Sequence, residues 1–144
     1  MDDCTFCRVA HREIPARLVV EDADVMAFLD HRPLFPGHVL VIPRIHVPTL
    51  LELDDALLAP VLGTSRRVAA AMGPALGADG TFVAMNNVVS QSVAHLHVHV
   101  VPRRRGDGLR GFFWPRHRYE TDTEADDIAS RLRVVLDPNR GKIG

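Results

Sequence analysis

The segment His95–Val101, HLHVHVV, constrains the fold of this chain more than any other stretch. Histidine alternates with an apolar residue along it, and successive side chains of a β-strand point to opposite faces. A strand here therefore buries its apolar side chains on one face and presents on the other its three histidines, His95, His97 and His99. Neighbouring histidines on that face lie about 6.5–7 Å apart.

Three imidazoles in a row permit three interpretations. They form a solvated polar face, although lysine, threonine and glutamate serve that purpose as well. They bind a catalytic metal, as three histidines do in some zinc enzymes. In the third interpretation one neutral imidazole attacks phosphorus as a nucleophile while the others position the phosphate. The segment by itself leaves all three open.

The bulk of the chain indicates one soluble domain. It has 144 residues, 47% of them apolar, and 17 basic against 18 acidic side chains. This length suffices for one hydrophobic core, and the balanced charge argues against general attraction to nucleic acid or membranes. No stretch approaches the roughly 18 apolar residues of a membrane helix, and the N-terminus lacks the apolar core of a signal peptide. We expect a cytoplasmic protein.

Alternating or β-branched apolar runs predict five strands. The runs are 16–21, 24–29, 38–43, 81–85 and 95–101. The first two, separated by an acidic turn, read as a hairpin. Together with two helices, the strands predict a single α+β domain with a mainly antiparallel five-stranded sheet.

The two helices are predicted from apolar residues at three-to-four spacing. One runs from Leu50 to about Met72, with Asp54 as its cap and a kink or a late start at Pro60. The other is C-terminal and begins with a capping box at Thr123 and Asp126. Its predicted apolar face consists of Ile128, Leu132, Val135 and Leu136.

The only two cysteines, Cys4 and Cys7, are spaced as C-x-x-C. In a reducing compartment this spacing favours a metal site or a redox dithiol over a structural disulfide. Two incidental cysteines near a frayed terminus are the alternative.

The chain resembles the histidine-triad (HIT) superfamily, whose signature is His-Φ-His-Φ-His-Φ-Φ with Φ apolar. Gln91-Ser92-Val93 stands where the family carries Gln-x-Val, and the segments VMAFLD at 25–30 and PGHVLVIPRIH at 36–46 match as well. The order and spacing look like a bacterial HIT protein from Cys4 to about Arg103. The resemblance implies one HIT domain over 1–144, with a loop and a helix at 104–144 after its core.

This resemblance implies that His97 is a nucleophile that forms a covalent nucleotidyl-histidine, which water or another acceptor then resolves. His99 and Ser92, beside Gln91, would bind oxygens of the phosphoryl or leaving group. Asp30 would accept hydrogen bonds from the ribose hydroxyls. The other residues of the implied nucleotide site are Phe28, His31, Asn86 and Asn87.

The sequence also departs from the family pattern. Ala84 stands eleven positions before the first triad histidine, where many relatives carry a polar residue. Either Asn86 or Asn87 takes over that phosphate contact in a shorter loop, or the contact is lost. Ser90 replaces the glycine next to Gln91. Since His31 replaces an aliphatic residue, the base preference is open.

For the metal, the resemblance implies one structural zinc per chain, held by Cys4, Cys7, His46 and His95. Two thiolates and two imidazoles make a closed tetrahedral set, which is typical of a structural rather than a catalytic zinc. We expect the remaining histidines, His11, His38 and His117, to be surface or structural residues.

The implied substrates are adenosine 5′-phosphoramidates or dinucleoside polyphosphates, which would be cleaved to a nucleoside monophosphate. The alternatives are a nucleotidyl transferase, a nucleotide-binding protein with little turnover and a hydrolase with a catalytic metal on the triad. A homodimer is also implied. The basic run 103–105 reads as a solvated loop or as an attractor for polyphosphate. Phe112, Phe113 and Trp114 would cover the substrate entrance or contact a second subunit.

Overall fold

The computed structural model describes residues 3–109 and 116–137. These residues divide into two compact units, between Asp107 and Gly108. The first unit contains the sheet and the triad, and the second contains the C-terminal helix. Phe112, Phe113 and Trp114 lie outside the described residues. Within the described part of the chain, no helix is long and apolar enough to cross a membrane.

Five strands form one antiparallel sheet, which confirms the predicted fold class. In chain order they are β1 Leu18–Glu21, β2 Val25–Leu29, β3 Val39–Pro43, β4 Gly80–Ala84 and β5 Val98–Arg103. Their order across the sheet is β1-β2-β3-β5-β4. The triad strand β5 therefore lies between β3 and β4, and β4 forms one edge of the sheet.

The triad strand begins later than predicted. It starts at Val98, so His95 and His97 precede it and lie outside the sheet. This segment is held by other contacts, since the Leu96 N–H donates to the Val47 carbonyl at 2.6 Å. The predicted alternation of faces persists, but His95 and His97 are only 0% and 3% exposed. A solvated polar face is therefore excluded for these two histidines.

A short helix that the sequence analysis did not predict covers the histidine face. Helix α1, Thr5–Ala10, begins at its N-cap Cys4 and buries Phe6, Val9 and Ala10. Their spacing of three and four residues is the helical signal in the sequence. On this face α1 packs against alternate residues of β2 and β3, namely Met26, Phe28, Leu40 and Ile42.

The long helix covers the opposite face of the sheet and differs from its predicted bounds. Leu50–Glu52 is a separate 3₁₀ turn, and helix α2 runs over Asp55–Leu76 from the N-cap Asp54. The predicted late start at Pro60 is wrong, because α2 begins before Pro60 and continues through it. Gly77 ends α2 in the left-handed conformation, at φ 67°, where a residue without a Cβ is favoured.

The C-terminal helix α3, Asp122–Leu136, is capped two residues before the predicted cap Thr123. Its N-cap is Thr121, whose side chain accepts from the Glu124 N–H at 3.0 Å, while the Glu124 carboxylate accepts from the Glu120 N–H at 2.9 Å. The predicted box at Thr123 and Asp126 is wrong because both residues already lie inside the helix.

The basic run at the end of β5 forms structural contacts. Arg103 makes a bidentate pair with Asp107, at 2.6 and 2.8 Å. Arg104 donates to the carbonyls of Leu76 and Gly77, both at 2.6 Å, and so satisfies the C-terminal end of α2. The attraction of polyphosphate by this run stays a prediction.

Candidate active site and metal cluster

The backbone fixes the proton of His97. Its Nδ1 lies 2.8 Å from the carbonyl oxygen of His95, and a carbonyl only accepts hydrogen bonds, so Nδ1 carries the hydrogen. The Nε2 atom of the neutral ring is then left with a free lone pair. His97 is also one of the residues that line a cavity of about 380 Å³. The arrangement therefore gives a nitrogen nucleophile at a cavity wall.

His38 and the backbone fix the proton of His99 in the same way. The Leu34 N–H donates to His38 Nδ1 at 3.1 Å, so the hydrogen of neutral His38 is on Nε2. That atom lies 2.9 Å from His99 Nδ1 and donates to it. His99 consequently carries its own hydrogen on Nε2. The ring centroids of His97 and His99 are 4.9 Å apart, so a free lone pair and a donor are adjacent.

Burial keeps His38 and His99 neutral. Desolvation, together with the neighbouring His97 and His38, lowers the pKa of His99 to about 4, although Asp30 partly opposes the shift. Desolvation also lowers the pKa of His38, which Asp30 partly opposes. Neutral imidazoles can each donate and accept one hydrogen bond, as this chain requires.

The cavity combines the two histidines with a carboxylate and apolar walls. Asp30 stands at the end of β2 with a partly buried carboxylate, 3.7 Å from His38 Nε2. Its Oδ1 accepts from the Arg32 N–H at 2.9 Å. The predicted site residues that line this cavity are Phe28, Asp30, His31, Ser92, His97 and His99. Helix α1 supplies Thr5, Phe6 and Val9 to the wall.

Three other predicted site residues hydrogen-bond to backbone groups, either in their own loop or in the segment 48–50, and do not line this cavity. Gln91 donates to the Pro48 carbonyl at 2.6 Å. Asn86 donates to the Ser90 carbonyl at 3.1 Å, and the Asn87 side chain accepts from the Leu50 N–H at 3.0 Å. In this structure they shape the loop that carries Ser92, and their phosphate-binding role stays a prediction.

The four predicted metal ligands converge. One ligand atom each from Cys4, Cys7, His46 and His95 lies within 4.8 Å of all the others. His95 Nδ1 is 3.4 Å from Cys4 Sγ and 3.5 Å from Cys7 Sγ, and His46 Nδ1 is 3.3 Å from Cys7 Sγ. These residues are positioned to bind a metal.

The protonation of this cluster suits a cation. His95 Nε2 donates to the Pro43 carbonyl at 2.8 Å, which leaves Nδ1 free to coordinate; such a backbone acceptor is the usual support of a metal-binding histidine. Desolvation lowers the pKa of His95 to about 4. For the protein without metal, desolvation, aided by Cys4, raises the pKa of Cys7 to about 11. A cation favours the thiolate and would oppose that rise.

His38 is the site residue whose role the sequence analysis missed. His38 is buried, at 3% exposure, and its Nε2 lies 2.9 Å from His99 Nδ1 and 3.7 Å from an oxygen of the Asp30 carboxylate. The signal was present: His38 precedes β3, and Leu40, two residues later, pairs with His99 in the sheet. Side chains two residues apart share a face, so His38 lies on the same face as Leu40.

Comparison with known proteins is consistent with this geometry. The HIT domain matches residues 11–106. Adenylylsulfatase HINT3 of Arabidopsis thaliana is 32% identical over 142 residues, which covers 94% of this chain and 70% of that protein. Adenosine 5′-monophosphoramidase hnt1 of Schizosaccharomyces pombe is 32% identical over 135 residues, or 90% and 98% of the two chains.

Two solved structures share the fold. A member of the HIT family from Bacillus subtilis has a TM-score of 0.80 at 31% identity and covers 90% of this chain and 94% of its own. A zinc-bound histidine-triad family protein from Mycobacterium smegmatis has a TM-score of 0.72 at 34% identity, with 85% and 88% covered. With a family match over 11–106, the triad signature and this fold, the chain belongs to the histidine-triad (HIT) family.

Proposed function

We propose that this protein hydrolyses nucleoside 5′-phosphoramidates or dinucleoside polyphosphates at the α-phosphate and releases a nucleoside monophosphate. The observation that carries the proposal is the His97 Nδ1–His95 carbonyl bond of 2.8 Å, which leaves Nε2 free at the cavity. The relatives named adenosine 5′-monophosphoramidase and adenylylsulfatase support nucleotide hydrolysis in general.

The reaction divides into two displacements at phosphorus. His97 Nε2 attacks the α-phosphorus, and the bond from phosphorus to the leaving nitrogen or oxygen breaks. Water then attacks the nucleotidyl-histidine, which breaks the P–N bond and restores His97. The Nε2–H of His99 and the hydroxyl of Ser92 would hydrogen-bond the phosphoryl or leaving-group atoms, where charge grows during transfer.

The cavity suits a nucleoside next to this phosphate. Asp30 would accept hydrogen bonds from the vicinal ribose hydroxyls with its partly buried carboxylate. Phe28 and the apolar residues of α1 would contact the base, and the exposed His31 would approach its edge. The phosphoramidase relative favours an adenine nucleotide as the substrate.

We further propose that the metal is one structural zinc per chain. Two thiols and two imidazole nitrogens are the soft, tetrahedral donor set that zinc prefers. All four positions are filled by protein, so no coordination site is left for substrate. Zinc would join the N-terminal segment to the triad segment through Cys4, Cys7, His46 and His95.

A catalytic metal is less compatible with the histidines of the cavity. Asp30, His38 and His99 also place ligand atoms within 4.8 Å of one another. A metal on His38 Nε2 would require the hydrogen of the neutral ring on Nδ1. A hydrogen on His38 Nδ1 would point at the Leu34 N–H, which donates to that same nitrogen at 3.1 Å. This donor conflict favours the nucleophilic interpretation.

The protein is proposed to be a cytoplasmic homodimer. Its two free thiols fit a reducing compartment. For the dimer, β4 is an edge strand, and large apolar side chains are exposed on β4 and α2, namely Val83, Leu58 and Leu62.

The test is AMP release from an adenosine 5′-phosphoramidate and from a diadenosine polyphosphate, measured for the wild type, His97→Ala and the control His11→Ala. We expect His97→Ala to lose at least about 10³-fold in kcat, because the nucleophile is absent. His11 is exposed and outside the cavity, so its variant should match the wild type. Labelled nucleotide trapped on His97 in protein denatured at alkaline pH, where the P–N bond is stable, would identify the intermediate.

Wild-type protein that is folded, zinc-loaded and inactive on both substrates would overturn the hydrolase proposal. Turnover that persists in His97→Ala would overturn the covalent mechanism. Formation of ADP when inorganic phosphate is added would identify a transferase, because phosphate rather than water would then resolve the intermediate.

A further inference from the structure

Helix α1 belongs to both the metal cluster and the catalytic cavity. Cys4 caps the helix and Cys7 lies within it, so the helix supplies two of the four candidate ligands. Its residues Thr5, Phe6 and Val9 line the cavity that His97 faces. A helix of six residues is not stable by itself. Its position therefore depends on the contacts that hold it to the rest of the fold.

Phe6 is the residue of α1 that contacts the nucleophile. Its ring packs edge-to-face on His97, with centroids 5.0 Å apart and an interplanar angle of 81°. It makes similar contacts with Phe28, at 5.5 Å, and with His95, at 6.1 Å. Phe6 is 7% exposed. The ring thus supports one side of His97, while the His95 carbonyl holds its Nδ1–H.

His95 provides the second link between the two sites. Its Nδ1 faces the thiols, 3.4 Å from Cys4 Sγ, and its carbonyl accepts the hydrogen of His97. His97 is therefore restrained by His95, which is a candidate metal ligand, and by Phe6, which lies between the candidate ligands Cys4 and Cys7 in the chain. Phe6 stands directly before Cys7 in the chain, and His95 is itself a ligand.

We propose that Phe6 is a positioning residue for His97, and that metal ligation by Cys4 and Cys7 holds it in place. When α1 is fixed, the Phe6 ring prevents His97 from turning about its side-chain bonds and keeps Nε2 directed at the α-phosphorus. When α1 is released, His97 reorients and the attack geometry is populated less. The inference rests on the proposed function only for its kinetic effect, since the orientation of His97 is measurable without substrate.

The decisive variant is Phe6→Leu, which keeps an apolar side chain but removes the edge-to-face contact. The control is Val68→Ala, which deletes buried volume in the core on the opposite face of the sheet. Both proteins are studied below their melting temperatures with bound zinc quantified. We expect Phe6→Leu to bind one zinc, to lose about tenfold in kcat and to show two tautomers of His97 by ¹⁵N NMR of the imidazole. Val68→Ala should show the wild-type kcat and one tautomer.

Two results of this comparison would overturn the role of Phe6. One is a Phe6→Leu protein with a single, wild-type His97 tautomer. The other is a Phe6→Leu protein in which KM changes and kcat does not, which would mean that Phe6 only lines the cavity. If zinc-loaded wild type releases no AMP, the proposed function fails, but the NMR comparison still tests the position of His97.

The role of the metal is tested by stepwise removal with a chelator. Amide hydrogen exchange in β2 and β5 and the ¹⁵N signals of His97 are followed on the same samples. We expect His97 to lose its single tautomer while the sheet amides are still protected, and to regain it when zinc is restored. Loss of both signals together, or of sheet protection first, would overturn the coupling.

Discussion

At the scale of single residues, the three triad histidines differ because each ring has a different fixed partner. The Pro43 carbonyl takes the Nε2–H of His95, so its Nδ1 faces the thiols. The carbonyl of His95 takes the Nδ1–H of His97, a residue that lines the cavity, so the lone pair of this ring is on Nε2. His99 accepts from His38 and keeps a hydrogen to donate. The same side-chain type therefore presents a different free atom at each of the three positions.

The low pKa of His99 predicts acid sensitivity of the fold. Burial holds this pKa at about 4 in the folded protein, against about 6.5 in the unfolded chain. Between these values the unfolded chain binds a proton that the folded protein does not, so the free energy of unfolding falls as the pH falls from 6.5 to 4. We expect His99 to account for a loss of about 2 kcal/mol between pH 7 and pH 5.

Urea unfolding of wild type and His99→Gln at both pH values measures this loss. Glutamine does not titrate, and both proteins carry the same metal ligands, so the difference between their pH dependences isolates His99. Equal losses of stability in the two proteins would contradict the prediction.

At the scale of elements, the N-terminal ends of the helices are set by side chains that accept hydrogen bonds from the free backbone N–H groups of the first turn. Asp54 caps α2 by accepting from the Ala56 N–H at 2.8 Å, and Thr121 caps α3. The sequence offers two threonines near the start of α3, and local pattern alone favoured Thr123 over Thr121. Which one caps the helix depends on the extended backbone at Thr121, with φ −141° and ψ 158°.

Thr121→Ala should therefore weaken the first turn of α3, and Thr123→Ala should not. Loss of the cap costs about 1 kcal/mol, or roughly a fivefold faster amide exchange at Glu124. Hydrogen exchange followed by NMR compares the two variants directly. Faster exchange in Thr123→Ala alone would show that the cap is at Thr123 after all.

At the scale of the whole molecule, the sheet is covered on both faces, but apolar side chains are exposed on the edge strand β4 and on helix α2. Leu58 and Leu62 of α2 are 36% and 46% exposed, and Val83 of β4 is 45% exposed. Apolar side chains at an open sheet edge favour association with a second copy. Helix α3, in the other unit, also exposes apolar residues, including Leu132 at 59%.

Leu62→Glu should convert the proposed dimer to a monomer, because association would bury an unpaired carboxylate. Light scattering coupled to size exclusion measures the mass. Leu132→Glu, which places the same charge on α3, is the matched control and should leave the dimer intact. Dissociation by Leu132→Glu alone would locate the interface on α3.

The sequence by itself determined the fold class, because alternation and β-branching are local and specify which face of each strand is buried. It placed all five strands to within two residues at most of their ends, except at the start of the triad segment. It also suggested the four metal-ligand positions through the family resemblance, and these four converge in the structure. Helix α1 was missed because its six residues are held by tertiary contacts and by the Cys4 cap rather than by a long periodic pattern.

Only the tertiary structure decided which atoms of the site face one another. The tautomers of His97 and His99 depend on carbonyl and N–H groups that come from other parts of the chain, such as Leu34 and the backbone of His95. The contact of His38 with His99 joins residues 61 positions apart. Such long-range pairs form when strands align in the sheet, and side-chain type or spacing along the chain does not specify them.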